Sequence, residues 1–241
     1  MNSPSFPYRI FPLGDAALTI DLGNCIDESV NREIIARFRQ LQQDPLPGMI
    51  EAVPAYSSLT IYYDLFYLHK KIPASLTVYE WMKQQLEEKM QRALPSVETT
   101  GRSIKIPVCY DASFAIDIQY MSEVKKTSIE EIVAIHTSKS YKVFMLGFLP
   151  GFAYMGEVDE RIAMSRKPQP MNVVAGSVGI AGKQTGIYPL TSPGGWQVIG
   201  RTPLKLFDAG NEEPSLLKAG DTVQFYSITR ENYYETLNSL S

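Results

Sequence analysis

Leu18, Ile20 and Leu22 occupy every second position, the period of a strand buried on one face. Helical spacing follows at Val30, Ile34, Phe38 and Leu41, with Asp27 placed to cap that helix. Met49 to Val53 and the alternating Leu59, Ile61 and Tyr63, separated by the turn-forming Pro54 to Ser58, predict two strands joined as a hairpin. Val78, Met82, Leu86 and Met90 step by four with Lys83, Glu87, Glu88 and Lys89 on the wet side, and predict a second helix that stops before Pro95. With a strand at Ser103 to Cys109 the order is β-α-β-β-α-β, that of a split β-α-β sandwich. This last strand fits either side of a hinge placed at Glu98 to Arg102 by its Thr pair and Gly101.

Beyond the hinge the pattern changes. One helix is predicted near Thr127 to Thr137, where Ser128 with Glu131, or Thr127 with Glu130, forms a capping box. After it, ten of the 16 glycines fall between Gly147 and Gly200, interleaved with Val173, Val178, Ile180, Ile187, Val198 and Ile199. Short strands joined by tight turns closing into a compact barrel are expected. The expected organisation is therefore an α+β domain over 1–100, split β-α-β in character, followed by a β-barrel domain over 101–241.

Composition narrows the function classes. The 241 residues are 44% hydrophobic and 20% charged, which suits two packed cores and excludes a fibrous or disordered chain. A net charge of −3 offers no global field to collect nucleic acid or anionic lipid, so neither is expected as a partner. Cys25 and Cys109 stand far apart without metal spacing, and neither a disulfide scaffold nor a bound metal is expected. Pro4, Pro7, Pro12 and Asp15 interrupt the start where a signal peptide needs an apolar run, and Gly and Pro break the uncharged stretches Val143 to Gly156 and Gln184 to Gly200. A cytoplasmic protein without a membrane span is expected.

Three segments could carry chemistry. In Met145 to Met155, a Leu-Pro-Gly-Phe turn sits among Phe148, Phe152 and Tyr154, which form either a strand entering a loop or an apolar wall with the Tyr154 hydroxyl as its polar handle. In Val174 to Pro189, Gly176, Gly179, Gly182 and Gly186 would allow close backbone approach to a ligand. It is not a Walker loop: five residues rather than four separate Gly176 from Gly182, and Gln184 stands where the magnesium-binding hydroxyl belongs. In Thr191 to Thr202, Trp196 and Arg201 follow a Pro-Gly-Gly turn, and Arg201 offers a bidentate fork for a carboxylate or phosphate with Gln184, Tyr188 and Ser192 as neutral partners. His69, in a Lys-rich connector, reads as solvated, whereas His136 lies near the end of the capped helix, just before the aromatic segment. No Gly-x-Ser-x-Gly elbow or Cys/His nucleophile pair is present, so a self-sufficient hydrolase is not expected.

HTSKSYKV, LGFLPGFAYM, AGSVGIAGKQTGIYP and SPGGWQVIGRTPLKLFD, in this order, closely resemble the Kip inhibitor and allophanate-hydrolase-subunit-1 family, which includes a subunit of bacterial 5-oxoprolinase. GDAALTIDLG, EAVPAYSSLTIYYD and AGDTVQF extend the resemblance over nearly the whole chain. It implies a cyclophilin-like barrel in the second domain and work alongside two partners, a larger subunit of the carboxyltransferase type and a lactam-cleaving subunit. The implied reaction is ATP-dependent opening of 5-oxoproline to glutamate, with the ATP site open to lie on this chain or to be shared. On matching positions it implies a pocket wall of His136, Tyr154, Gln184, Tyr188, Trp196 and Arg201. In the implied mechanism ATP phosphorylates the amide oxygen, Arg201 and the Gly-rich backbone steady the phosphate or carboxylate, and His136 handles a proton.

The sequence departs from the family where many members carry Pro-Arg-Arg and then Pro-Arg: here the stretch reads Met164-Ser165-Arg166-Lys167 and Pro170-Met171, and the Arg absent at Met171 weakens the case for an anion-gripping loop, a role of which Arg166 and Lys167 would retain part. Two other readings stand beside the enzyme subunit: an inhibitor of a sensor histidine kinase, using the apolar patch around Phe148, and a component of a urea- or allophanate-processing carboxylase. No biotin is expected on this chain, which lacks a Met-Lys-Met attachment tripeptide.

Overall fold

The computed structural model describes residues 6–92 and 101–240. The chain divides into two compact units, Met1–Thr99 and Thr100–Ser241.

The first unit contains β1 (Arg9–Pro12), β2 (Ala17–Asp21), α1 (Glu28–Gln43), β3 (Met49–Pro54), β4 (Ser58–Tyr63), α2 (Leu65–His69) and α3 (Val78–Met90). Its sheet runs β1-β2-β4-β3 with every neighbouring pair antiparallel. β2 and β3 are therefore parallel, joined through α1 with β4 inserted between them, which is the split β-α-β arrangement. Alternation along β2 and β4 sends Leu18, Ile20, Leu59 and Ile61 into a core shared with Ile34 and Leu41 of α1 and Met82 and Leu86 of α3. The buried Arg37–Glu33 ion pair, at 2.9 Å, adds a tie between helices, because the Arg37 guanidinium also donates to the carbonyls of Lys89 and Arg92 at the end of α3. His69 is exposed, in the last turn of α2 rather than in a connector.

Asp27 caps α1 by accepting from the Ser29 and Val30 amides, and a full capping box of Thr77 and Glu80 starts α3. Thr77→Ala removes one half of that box and is expected to lower stability by about 1 kcal/mol, while Thr77→Ser stays close to wild type. Urea midpoints of the two variants check this, and equal midpoints would show that the box contributes nothing.

The second unit contains β5 (Ser103–Cys109), α4 (Ile118–Lys125), α5 (Ile129–Ser138), β6 (Ser140–Leu146), β7 (Ala153–Gly156), β8 (Met171–Val173), β9 (Ser177–Ala181), β10 (Gln184–Ile187), β11 (Ser192–Gly194), β12 (Gln197–Arg201), β13 (Thr222–Ile228) and α6 (Arg230–Ser239). Seven strands close a barrel in the order β10-β7-β6-β13-β5-β12-β9, parallel only between β13 and β5, and β8 with β11 makes a separate ribbon. The strand that fitted either side of the hinge thus belongs to the barrel. Of the hinge itself, residues 98–100 lie outside the described residues. Arg102, at its end, is held by Asp221 at 2.6 Å.

Ser128, not Thr127, caps α5. Two helices of this unit depart from the expected single one. Among its described residues α4 buries only Ile118 and Met121 and has no side-chain cap, and α6 buries only Tyr233, so neither carries a readable apolar stripe. Among the described residues no helix is long and apolar enough to cross a membrane.

Candidate functional site

Alternation along three adjacent barrel strands sorts the segments that looked chemical. Ala153 and Met155 of β7, Val178 and Ile180 of β9, and Ile187 of β10 face the barrel core. Their neighbours Tyr154, Gly179, Ala181, Gln184 and Gly186 therefore face outward. Gly186 pairs with Tyr154 on one side and Gly179 on the other, and Gln184 pairs with Gly156 and Ala181 one row along. Over this outer face lies a second aromatic layer.

Phe152, 1% exposed, is the hub of that layer. Tyr154, Tyr188 and Trp196 surround it with ring centroids 4.8, 5.3 and 5.4 Å away, tilted or edge-on as aromatic quadrupoles favour. Phe148 stands edge-on to it at 5.7 Å, is 62% exposed and takes a left-handed φ of +69°. The loop's Leu-Pro-Gly-Phe turn thus buries one phenylalanine and presents the other. A Cβ on Gly186 would lie 2.9 Å from Trp196 and 3.0 Å from the Ala153 carbonyl oxygen, so this glycine exists to let the indole lie against the strand.

Burial raises the hydroxyl pKa values of Tyr154 and Tyr188, and the nearby Arg166 cation partly offsets this in both. The guanidinium of Arg166 lies 5.9 Å from the Trp196 ring. Tyr154, Gln184, Tyr188 and Trp196 share one face, with Gln184 and Tyr154 half-buried at its margin.

The other two expected site residues lie elsewhere. His136 is fully buried inside the barrel, stacked on Phe225 at 4.6 Å and Tyr141 at 5.3 Å. Thr185 donates its hydroxyl to the Gly179 carbonyl, so at 3.0 Å it can only accept from His136 Nε2–H. Nδ1 then accepts from the Tyr110 hydroxyl at 2.7 Å. Both nitrogens are satisfied by the neutral ring, and burial pushes its pKa down to about 3. A ring so enclosed has no route to a substrate, and the expected proton-handling role is not supported by its position.

Arg201 is half-buried, donates Nε–H to the Ala175 carbonyl at 2.9 Å and sits 5.9 Å from the Phe114 ring. With Ser113, Asn172 and Ser177 it lines a cavity of about 70 Å³, too small for a nucleotide. Val173 and Val198 belong both to that cavity and to the aromatic cluster, and Arg201 is therefore behind the wall. The Gly-rich segment also differs from its expected use. The Gly176 amide donates to Tyr188 and that of Gly182 to Met164, while Gly179 and Gly186 lie in ladder pairs, so the run closes a barrel and is no phosphate cradle.

A feature that no local pattern assembles lies beside the aromatic face. The segment 165–167 is clamped to the turn before β12 by the Lys167 amide on the Gly195 carbonyl, at 2.7 Å, and to the first residue of β12 by Gln197 Nε2 on the Ser165 carbonyl, at 3.0 Å. Between it and α4 opens a cleft of about 490 Å³. Lys167 is tied to Asp117 across it at 2.6 Å. Arg166 and Lys167 stand out in the sequence, but nothing local links them to Asp117, 50 residues upstream. Among the described residues no group of three or more His, Cys, Asp or Glu is placed to hold a metal ion.

The carboxyltransferase domain, subdomain C and D, matches residues 8–217, crossing both units. The B-type 5-oxoprolinase subunit of Bacillus subtilis is 42% identical over 229 residues, covering 94% of this chain and 95% of that protein. Its namesake in Haemophilus influenzae is 37% identical over 218 residues, covering 90% and 96%. Among solved structures, TTHA0988 superposes with a TM-score of 0.72 at 34% identity, covering 88% of this chain. This chain spans only 40% of that structure's length. A match that begins just before β1 and runs to the segment before β13, joined to likeness over nearly the full length of proteins of similar size, leaves one assignment: the chain belongs to the carboxyltransferase subdomain C and D family, of the Kip inhibitor and allophanate-hydrolase-subunit-1 kind.

Proposed function

We propose that this chain is a subunit of an ATP-dependent 5-oxoprolinase and that its aromatic face forms part of the site where the lactam is activated. The observation that carries this reading is the 42% identity to the 5-oxoprolinase subunit of Bacillus subtilis over 95% of that protein. The geometry agrees with a shared site. Phe148 presents an exposed ring beside a rigid aromatic wall, a combination suited to closure by a second chain. The proposed partners are a larger carboxyltransferase-type subunit and a lactam-cleaving subunit, in the cytoplasm where ATP is available.

An unstrained lactam carbonyl is a poor electrophile. Transfer of the γ-phosphoryl group of ATP to the amide oxygen breaks the terminal phosphoanhydride bond, releases ADP and leaves the ring carbon open to water. Attack there breaks the ring C–N bond with protonation of the nitrogen, and a second water releases phosphate and glutamate. In this scheme Tyr154, Gln184, Tyr188 and Trp196 wall the lactam and exclude bulk water. The Gly-rich strands spend their amides on the barrel, so nucleotide binding is proposed on the partner, facing this wall.

The test is reconstitution with each chain omitted in turn, following ADP and glutamate from 5-oxoproline. Glutamate formation is expected to fall to background without this chain. Turnover that persists undiminished would overturn the reading and direct attention to inhibition of a sensor histidine kinase.

A further inference from the structure

We propose that the cleft between α4 and residues 163–168 is the carboxylate-binding subsite for the lactam, with Arg166 taking the carboxylate and Gln197 Oε1 the ring N–H. The inference rests on the 5-oxoprolinase reading and assigns residues that the aromatic wall does not include.

Three observations converge on this cleft. Its walls hold three cations, Lys125, Arg166 and Lys167, against the single carboxylate of Asp117, on a chain whose net charge is −3. Two of these four charges cancel: the Asp117 carboxylate takes Lys167 Nζ at 2.6 Å and the Val198 amide at 2.7 Å. Lys125 reaches the Glu160 carbonyl at 3.3 Å. Arg166 is exposed and has no carboxylate partner among the described residues, so its fork is left to an anion from outside.

The second observation is Gln197, a wall residue only 4% exposed. Its Nε2 must face the Ser165 carbonyl, which can only accept, so the amide orientation is settled by chemistry. The other end, Oε1, is buried without a hydrogen-bond partner. An orphaned carbonyl at such a depth is costly unless a donor arrives to meet it. The third is position: the guanidinium of Arg166 also lies over Trp196, so an anion held there adjoins the aromatic wall.

A ligand that meets these groups carries one carboxylate and one N–H a short distance apart beside a compact apolar ring. In 5-oxoproline the carboxylate is carried by the ring carbon that is bonded to the N–H. A nucleoside triphosphate fits less well, because one free guanidinium faces several phosphate charges and the Asp117 carboxylate opposes them.

The experiment uses the assembled complex. Arg166 is exposed, so Arg166→Met leaves the fold intact. It is expected to raise KM for 5-oxoproline roughly tenfold or more with little change in KM for ATP, and Arg166→Lys to recover part of the loss. Competition provides a readout that a merely structural role would not move. Wild type is expected to bind 2-pyrrolidinone, which lacks the carboxylate, and 5-oxotetrahydrofuran-2-carboxylate, which lacks the N–H, each at least about tenfold more weakly than 5-oxoproline. Arg166→Met is expected to erase the discrimination against 2-pyrrolidinone and keep that against the lactone. An unchanged KM for 5-oxoproline, a change confined to ATP, or discrimination untouched by the substitution overturns the cleft assignment alone. Glutamate formation that does not depend on this chain overturns the function from which it follows.

Discussion

Between pH 6.5 and about 4, the second unit is expected to lose stability progressively because His136 cannot accept a proton where it sits. Burial holds its pKa at about 3 in the folded protein, against 6.5 when unfolded. The sign follows from proton counting. Through this window the unfolded chain binds a proton that the native chain does not, so unfolding becomes more favourable as pH falls. The slope approaches about 1.4 kcal/mol per pH unit once the unfolded imidazole is largely protonated, giving about 2–3 kcal/mol by pH 4.5. That is a large share of the 5–15 kcal/mol typical of a domain. His136→Gln tests the cause. It is expected to cost about 2–4 kcal/mol at pH 7, through lost packing on Phe225 and imperfect bonding to Tyr110 and Thr185, yet to flatten the pH dependence above 4.5. Urea midpoints for both proteins from pH 7.5 to 4.5 decide it: curves that stay parallel would mean that His136 does not set the acid sensitivity.

His136 also shows where sequence reasoning runs out. Its place near the end of a capped helix is legible from Ser128 and Glu131, and that placement suggests a protonated ring favoured by the helix dipole. What decides its state is barrel closure, which brings Thr185 from 49 residues away and Tyr110 from 26. No local pattern announces either. The same limit moves Arg201. Its neighbours in sequence, Ser192 and Trp196, suggest one site, but Arg201 is turned to the Ala175 carbonyl and the small cavity beyond Val198, and the cation that meets the indole is Arg166 from a different loop. By contrast, Tyr154, Gln184, Tyr188 and Trp196 do share one face: alternation along β7 and β10 turns Tyr154 and Gln184 outward, while the grouping with Tyr188 and Trp196, which lie outside the strands, is legible only through the family resemblance. The first unit is legible for the same reason: each of its elements has its own stripe, cap or turn. α6 is not, since a helix with one buried residue has no stripe to read.

Trp196→Ala is expected to be the most damaging single change on the outer face, at about 3–5 kcal/mol. The indole is 4% exposed and fills the space between Phe152, Tyr154 and two glycine-bearing strands, so its loss leaves a cavity that rigid barrel strands cannot close. Gly186→Ala attacks the same contact from the other side: the new methyl would meet Trp196 Cζ3 at 2.9 Å, the Ala153 carbonyl oxygen at 3.0 Å and Phe152 Cζ at 3.1 Å. Overpacking of this kind costs about 1–3 kcal/mol. The two substitutions are not expected to add. Once the indole is gone, one of the three clashes disappears and the methyl enters the void, so Gly186→Ala in the Trp196→Ala background is expected to cost about 1 kcal/mol less than in wild type. Denaturant midpoints of the four proteins give this coupling directly. Strict additivity would show that Trp196 and Gly186 do not share a packing contact, and the reason for the glycine would then lie in the backbone of β7 alone. If they do couple, the wall is one rigid unit, and the proposed function then predicts that glutamate formation by the assembled complex falls at least tenfold in either single variant at temperatures where the chain remains folded, because an aromatic surface displaced by about 1 Å would no longer position the lactam.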